Sequence, residues 1–292
     1  MKQVFLVILL AFGFVVGAQN KIVKKPKKQK PATTQVAPKK HKSQSKPPTK
    51  GGTVKCVATK ASYSNGTLTV NGIKYNMVWV DGGTFRMGAT SEQGSEISDE
   101  KPVHSVTLSG YYIGKTEVTQ VLWQAVMGSN PSYFEGDDLP VEQVSWDDCQ
   151  EFIRKLNSLT GQNFRLPTEA EWEFACRGGN NSRGYKYSGS NYIDNVAWYD
   201  GNSGDKTHPV ATKSPNELGI YDMSGNVWEW CADWYGDYSS GRQTNPKGPY
   251  GGSYRVGRGG SWFIYARFCR SSFRISFIPA CRYYYLGLRL AL

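Results

Sequence analysis

The segment from Arg258 to Arg289 constrains the fold more than any other part of the chain, because two sets of residues are interleaved in it. One set is typical of a structural scaffold and comprises Gly259, Gly260, Ser261, Trp262, Arg267, Arg270, Arg274, Arg282, Gly287 and Arg289. The other set is apolar or aromatic and comprises Phe263, Ile264, Tyr265, Phe268, Phe273, Ile275, Phe277, Tyr283, Tyr284 and Tyr285. Neither a helical period of 3.6 residues nor a strand period of two places the second set on one face.

Two interpretations of the aromatic set are open. It can form a buried hairpin, since Tyr, Phe and Ile favour strands. It can also form a ligand-binding surface, because clusters of exposed aromatic side chains mark recognition sites. The second interpretation predicts that several of these side chains are exposed together. It also predicts that Trp262, Arg267, Arg270 and Arg289 are buried or hydrogen-bonded.

The net charge of +11 indicates nucleic-acid binding only if the basic residues lie on the folded body. Residues 19–52 contain eleven Lys and no acidic residue, and Lys2 precedes them. The other 23 basic residues face 24 acidic ones, so the body is nearly neutral and we expect no nucleic-acid partner. The Lys- and Pro-rich composition of 19–52 predicts a disordered linker, and its charge suits association with an acidic cell envelope.

The N-terminus predicts export. Lys2 precedes an apolar run that ends in Val16-Gly17-Ala18, so residues 1–18 are typical of a cleavable signal peptide. The run is too short for a comfortable membrane span. We therefore expect a secreted, periplasmic or cell-surface protein, in which disulfides are permitted. Six cysteines allow one or two bridges: Cys56, Cys149, Cys176, Cys231, Cys269 and Cys281.

Local signals predict one hairpin and three helices. The hairpin falls within residues 53–76, which alternate around an Asn-Gly turn at 65–66. The helices are predicted to run from Thr119 to Gly128, from Ser145 to about Leu159, and onward from a capping box at Thr168 and Glu171. Beyond Gly178 periodicity is lost, and such long irregular segments are usually functional or held by ions.

Six motifs occur in order: Gly82-Gly-Thr-Phe-Arg-Met-Gly88, Glu117-Val-Thr-Gln120, Val144-Ser-Trp-Asp147, Arg165-Leu-Pro-Thr-Glu-Ala-Glu-Trp-Glu173, Gly225-Asn-Val-Trp-Glu-Trp230 and Arg258-Gly-Gly-Ser-Trp262. From about Met77 to Leu292, the chain resembles the formylglycine-generating enzyme (sulfatase-modifying factor) family. The resemblance implies an α+β, C-type-lectin-like single domain with little regular secondary structure over 77–292. Residues 53–76 would then be a short β extension.

The resemblance also implies a structural calcium ion, and hard Ca²⁺ prefers oxygen ligands. The implied ligands are the side chains of Asp222 and Glu229 and the carbonyls of Gly225 and Val227, with a second site near Asn195 and Val196. The alternative for Glu229 is a salt bridge to an arginine.

The family's oxidase binds copper through two cysteines and exchanges with a substrate thiol. In this sequence the first of these positions is Ile264 and the second is Cys269, while Ser261 matches another active-site position. Because soft Cu(I) requires two thiolates here, the sequence does not support a copper cofactor. Catalysis, if retained, would depend on Cys269 and Ser261. Otherwise we expect Cys269 to be structural and paired with Cys231 or Cys176.

Three functions remain open. The first is a secreted, non-catalytic protein that binds a protein or glycan ligand through its aromatic C-terminal surface. The second is a copper-dependent oxidase that converts a sulfatase cysteine to formylglycine. The third is a structural subunit of a cell-envelope or secretion assembly.

A codon pattern bears on the first function. The lectin-like scaffold is also used by variable proteins of diversity-generating retroelements, in which Asn codons near the C-terminus are mutated at adenines. The variable candidates are Phe263, Ile264, Tyr265, Phe268, Phe273, Ile275, Ser276, Phe277, Cys281, Tyr283, Tyr284 and Tyr285. Each can be reached from an Asn codon by changing adenines alone. The preference of strands for Phe, Tyr and Ile would give a similar set.

Overall fold

The computed structural model describes residues 60–94 and 97–292 of the chain. The predicted signal peptide, the linker 19–52 and Cys56 lie outside these residues. Within them, none of the helices is long and apolar enough to cross a membrane.

The predicted N-terminal hairpin is confirmed. Strands β1 (Ala61–Ser64) and β2 (Thr67–Val70) pair around Asn65 and Gly66. Both turn residues have positive φ, 48° and 75°, as a two-residue hairpin turn requires. Leu68 and Val70 are fully buried, so the hairpin contributes to the domain core.

Three small sheets contain the strands of the described residues. The first has the order β1-β2-β3-β6, with β3 at Ile73–Val80 and β6 at Tyr111–Gly114. The second has the order β4-β5-β8, formed by Gly83–Met87, His104–Leu108 and Gln243–Thr244. The third has the order β10-β9-β7-β11, formed by Arg274–Phe277, Arg255–Arg258, Trp228–Trp234 and Leu286–Leu288.

The three predicted helices are confirmed, and a short fourth helix is added. They are α1 (Gln120–Met127), α2 (Trp146–Thr160), α3 (Glu169–Cys176) and α4 (Ile193–Val196). Capping boxes open α2 at Ser145 and α3 at Thr168, and Gly128 ends α1 with a φ of 86°. Thr119 occupies the N-cap position of α1 but makes no side-chain capping bond. Long segments without helix or strand separate these elements, so the α+β, lectin-like architecture with little regular structure is confirmed.

Four buried arginines of the C-terminal segment form ion pairs with glutamates from earlier elements. The pairs are Arg258 with Glu173, Arg270 with Glu100 (2.6 Å), Arg274 with Glu169 (2.6 Å) and Arg289 with Glu229 (2.7 Å). A buried charge is stable only when it is paired and hydrogen-bonded. The pairs therefore fix the path of the C-terminal segment across the domain.

Removing one partner of such a pair should destabilise the domain strongly. We expect Arg289→Met to lower the free energy of unfolding by about 3–5 kcal/mol, because the Glu229 carboxylate is then buried without its cation. Urea denaturation measures the change. The matched control is Arg154→Met, whose pair with Glu151 lies on the exposed face of α2, and it should leave the unfolding midpoint unchanged. Equal losses in both variants would show that the buried pair has no special role.

Candidate functional site

Five aromatic rings form a continuous, partly exposed array that we call the aromatic surface: Tyr133, Phe263, Tyr283, Tyr284 and Tyr285. Tyr285 stacks on both Tyr283 and Phe263 with ring centroids 5.0 Å apart. Tyr284 contacts Tyr285 edge-on at 5.3 Å and reaches Tyr133 at 5.8 Å. Tyr133 is 69% exposed and the other four are half-buried. Four of the five rings therefore belong to residues that the sequence predicted for a binding surface, and these four lie together.

Trp262 supports this array from beneath, as the sequence predicted for a scaffold residue. It is 5% exposed. Its indole N–H donates to the carbonyl of Tyr284 (3.1 Å), and its backbone N–H donates to the carbonyl of Asn226 (2.8 Å). Arg270 and Arg289 are buried in their ion pairs, as expected. The burial part of the prediction is wrong for Arg267, which is exposed and lies over the ring of Phe268 at 4.6 Å, although its carbonyl accepts a hydrogen bond from Arg270 Nε (2.7 Å).

The surface prediction is also wrong for Phe273 and Phe277, which are buried. Phe273 lies 5.8 Å from the ring of Trp228, and Phe277 lies 5.6 Å from that of Trp230. The cause is the sheet order, because β10 is joined to β7 through β9, so its inward side chains cover the tryptophans of β7. The interpretation as a buried hairpin therefore holds for these two residues.

The remaining predicted surface residues lie around the array. Tyr265 is exposed by about half. The others are only partly accessible and pack against the core, namely Ile264, Phe268 and Ile275.

Sequence reasoning missed Tyr133, which reaches the surface from the loop after α1. The buried carboxylate of Glu142 holds this loop, since its Oε1 accepts hydrogen bonds from the amides of Tyr133 (2.7 Å) and Phe134 (2.8 Å). Burial raises the pKa of Glu142 to about 7. The adjacent Tyr-Phe pair, in an otherwise polar stretch, was the available signal.

The residues at the oxidase positions provide one buried thiol beside an isoleucine. Cys269 is fully buried, and burial raises the pKa of its thiol to about 12. Ile264 packs against it where the second thiolate would be needed. Ser261 is also fully buried, and its hydroxyl has no hydrogen-bond partner among the described residues. A protonated, solitary thiol is neither the ligand set that Cu(I) requires nor a reactive nucleophile.

The expected disulfide to Cys269 is wrong. All five cysteines in the described part of the chain are free thiols: Cys149, Cys176, Cys231, Cys269 and Cys281. The proposed partners lie in a different hydrophobic cluster, which contains Cys176 and Cys231. Cys269 packs instead with Tyr187 and Val196.

The loop predicted to bind calcium has the backbone of a tight turn, with positive φ at Asp222 (60°), Gly225 (85°) and Asn226 (58°). The carboxylate of Glu229, however, already accepts hydrogen bonds from other side chains. Its oxygens accept from the Arg289 guanidinium at 2.7 and 3.0 Å and from the Trp172 indole N–H at 2.6 Å. Glu229 therefore makes the arginine ion pair that was the alternative to its role as a calcium ligand.

The charge balance around this loop favours a cation. Glu117, Asp222 and Glu229 are all buried there, with the guanidinium of Arg289 as a counter-ion. Burial, followed by the charges of Asp222 and Glu229, raises the pKa of Glu117 well above its usual range. Burial likewise raises the pKa of Asp222 to about 6. Three carboxylates and one guanidinium leave excess negative charge, which an ion or bound protons must offset.

A calcium ion at this loop would depend mainly on backbone oxygens. Within residues 60–94 and 97–292, no group of three or more His, Cys, Asp or Glu side chains is arranged to hold a metal. Of the available carboxylates, Asp222 accepts a bond from the amide of Ala211 (2.7 Å). The second predicted position lies on α4, where Val196 is buried and the carbonyl of Asn195 accepts from the amide of Ser214 (2.9 Å).

Comparison with known proteins shows the family. Residues 68–292 match the family described as sulfatase-modifying factor enzyme 1-like domain. The chain is 37% identical over 252 residues to the chaperone protein LppX of Paenibacillus barcinonensis, covering 69% of this chain and 82% of that protein. It is 30% identical over 285 residues to the formylglycine-generating enzyme of Streptomyces coelicolor, covering 73% and 88%. Among solved structures, variable protein 1 of Treponema denticola superimposes with a TM-score of 0.70 at 37% identity, covering 77% of this chain and 97% of that one.

The copper-site geometry makes a direct prediction. Purified protein should take no Cu(I) from a competing chelator, because Cys269 has no thiolate partner at Ile264. Ile264→Cys places a second thiol beside Cys269 and should gain Cu(I) binding that Cys269→Ser abolishes. Copper uptake by the parent protein that disappears in Cys269→Ser would contradict our interpretation of this site.

Proposed function

The chain belongs to the sulfatase-modifying factor family, and we propose that it acts there as a ligand-binding protein and not as an oxidase. The aromatic surface is the observation that carries this proposal. Tyr and Phe offer a large contact area at a small entropic cost, which is why they predominate in binding surfaces. The ring contacts among its five members pre-order that area before a ligand arrives.

The way the backbone is held supports a binding role. The carbonyls of three consecutive surface residues, Tyr283, Tyr284 and Tyr285, each accept a hydrogen bond from the scaffold. The donors are the amide of Gln143 (3.0 Å), the indole of Trp262 (3.1 Å) and the amide of Trp228 (2.8 Å). These bonds do not depend on the tyrosine side chains. The side chains can therefore change while the backbone keeps its path.

We propose further that the exposed part of this segment is a diversified region. Its candidate residues are all reachable from Asn codons by changes at adenines, and the backbone of three of them, Tyr283 to Tyr285, is held independently of their side chains. The likeness to a protein named as a variable protein agrees with this. The buried Phe273 and Phe277 define the limit of the region, since changes there would disturb the core. A near-copy of the segment beside a reverse-transcriptase gene would support diversification, and the absence of both would exclude it.

The proposed ligand is a protein or glycan outside the cytoplasm. This location depends on the predicted signal peptide at 1–18, and an envelope association would depend on the Lys-rich segment 19–52. The oxidase alternative is not favoured, because Ile264 and the buried Cys269 do not provide two thiolates.

Substitutions on the aromatic surface should abolish binding without unfolding the domain. The double variant Tyr133→Ser, Tyr284→Ser removes two contacting rings whose backbone bonds remain. We expect its melting temperature to stay close to that of the parent, and capture on protein and glycan arrays to be lost. The control Phe277→Ala truncates a buried ring and should cost about 3–5 kcal/mol. Unfolding of the double variant, or unchanged array binding, would exclude the aromatic surface as the binding site.

We also propose a structural calcium ion at the 222–227 loop, held by Asp222 and by backbone carbonyls of Gly225 and Val227. Its charge would offset the buried carboxylates of this region. Chelation with EDTA should lower the melting temperature of the parent protein, and Asp222→Asn should remove that sensitivity. The exposed Asp138→Asn should retain it. A parent protein that melts identically with and without EDTA would contradict the site.

A further inference from the structure

A cavity of about 430 Å³ lies between the first turn of α3, the end of β7 and the loop 236–249. It shares no lining residue with the aromatic surface, and its volume falls within the range of small-molecule sites, roughly 300–1,000 Å³. Its polar lining includes His104, Glu169, Asp233, Tyr238, Lys247 and Arg274.

Three of these residues, Glu169, Arg274 and Tyr238, are hydrogen-bonded to one another. The guanidinium of Arg274 donates to both oxygens of Glu169, at 2.7 and 2.6 Å, and the hydroxyl of Tyr238 donates to Glu169 at 3.1 Å. They therefore form a fixed wall of the cavity, and their charges cancel. The chemistry open to a ligand lies with the other residues.

Asp233 and His104 present open acceptors. Asp233 is 4% exposed, and its Oδ2 accepts from the amide of Glu169 (2.8 Å), while its Oδ1 makes no hydrogen bond within the described ranges. His104 is 2% exposed and contacts the ring of Tyr238 at 4.8 Å. Its Nδ1 lies 3.0 Å from the carbonyl of Pro102. A carbonyl only accepts, so Nδ1 carries the proton and Nε2 of the neutral ring is an acceptor.

We propose that this cavity binds the primary ammonium group of a small amine or of a lysine side chain. Buried acceptors require donors, and an ammonium group brings three N–H donors together with a positive charge. Its bond to the Asp233 carboxylate is charge-assisted and correspondingly strong. The His104 and Tyr238 rings provide an apolar wall for the methylene stem. A neutral polyol would satisfy the acceptors but bring no positive charge to the buried Asp233 carboxylate.

The ammonium group of Lys247 competes with an external ammonium group, because Lys247 lines the same cavity. The described residues contain no ion pair between Lys247 and Asp233, and Lys247 is exposed. Removing its charge with Lys247→Gln should therefore leave the cavity intact and increase its affinity for an external ammonium group.

The probe is Nα-acetyl-lysine amide, compared by calorimetry with its Nε-trimethyl form, which keeps the charge but has no N–H donors on the side chain. At pH 8 we expect saturable binding of the first and at least about tenfold weaker binding of the second. Asp233→Asn should weaken binding about tenfold or more. It removes the charge but retains an acceptor for the Glu169 amide, so the fold should persist.

The affinity should also depend on pH. Burial, followed by the charge of Glu169, raises the pKa of Asp233 to about 7, so the carboxyl is protonated at pH 6 and ionised at pH 8. Glu171, Arg255 and Arg274 also act on its charge, and His104, Asp237 and Lys247 line the same cavity. Ammonium binding should strengthen about tenfold from pH 6 to pH 8, and this rise should be lost in Asp233→Asn.

Four results would overturn the proposal, and three of them concern the probes and the cavity residues. They are equal binding of the trimethylated probe, unchanged binding by folded Asp233→Asn, and no saturable binding by either the parent or Lys247→Gln at pH 8. The double variant Tyr133→Ser, Tyr284→Ser should bind the probe normally, because the cavity is separate from the aromatic surface. Loss of probe binding in that variant would place the probe on the aromatic surface and refute the cavity site.

Discussion

The buried ion pairs between the C-terminal arginines and earlier glutamates are the constraint on which the rest of the domain depends. Regular hydrogen bonding within long helices or wide sheets is scarce here, so the chain needs other means to fix distant segments. Arg270 and Glu100, for example, are 170 residues apart in sequence and bonded at 2.7 Å. Desolvating such charges is costly. An alternative packing that separates one pair would leave two uncompensated charges, so the pairs exclude other arrangements of the loops as well as stabilising this one.

This arrangement separates the role of the backbone from that of the side chain within single residues. In the tyrosine triplet at 283–285 the carbonyls serve the scaffold, and the rings form the surface. Binding proteins that must vary their contacts face a conflict, because most substitutions destabilise a fold. The conflict is smaller when backbone hydrogen bonds and buried arginine ion pairs stabilise the fold, because the exposed rings can then change at a lower cost in stability. By the same reasoning, Phe273 and Phe277, whose rings pack on the core tryptophans, lie outside the variable region that we propose.

Local features of the fold could be predicted from the sequence, whereas contacts between distant segments could not. The capping boxes at Ser145 and Thr168 involve residues three apart, so sequence alone contains all their partners. The burial of Phe277 depends on which strand lies next to β10, and no local period encodes that order. Glu229 carried a calcium expectation because its loop matched a family motif, but its actual partner, Arg289, lies 60 residues away. Tyr133 was not predicted for the same reason, since the rings that it contacts are distant from it in the sequence.

The absence of a disulfide from the described part of the chain has a practical consequence. Four of the five thiols there are sealed in the core, and Cys281 is partly accessible, with its sulfur 3.5 Å from the hydroxyl of Tyr283. Among these five, alkylating reagents should therefore reach Cys281 first. A fluorophore attached at this position would lie at the border of the aromatic surface. The molecule thus carries its own attachment point for an optical reporter of ligand occupancy.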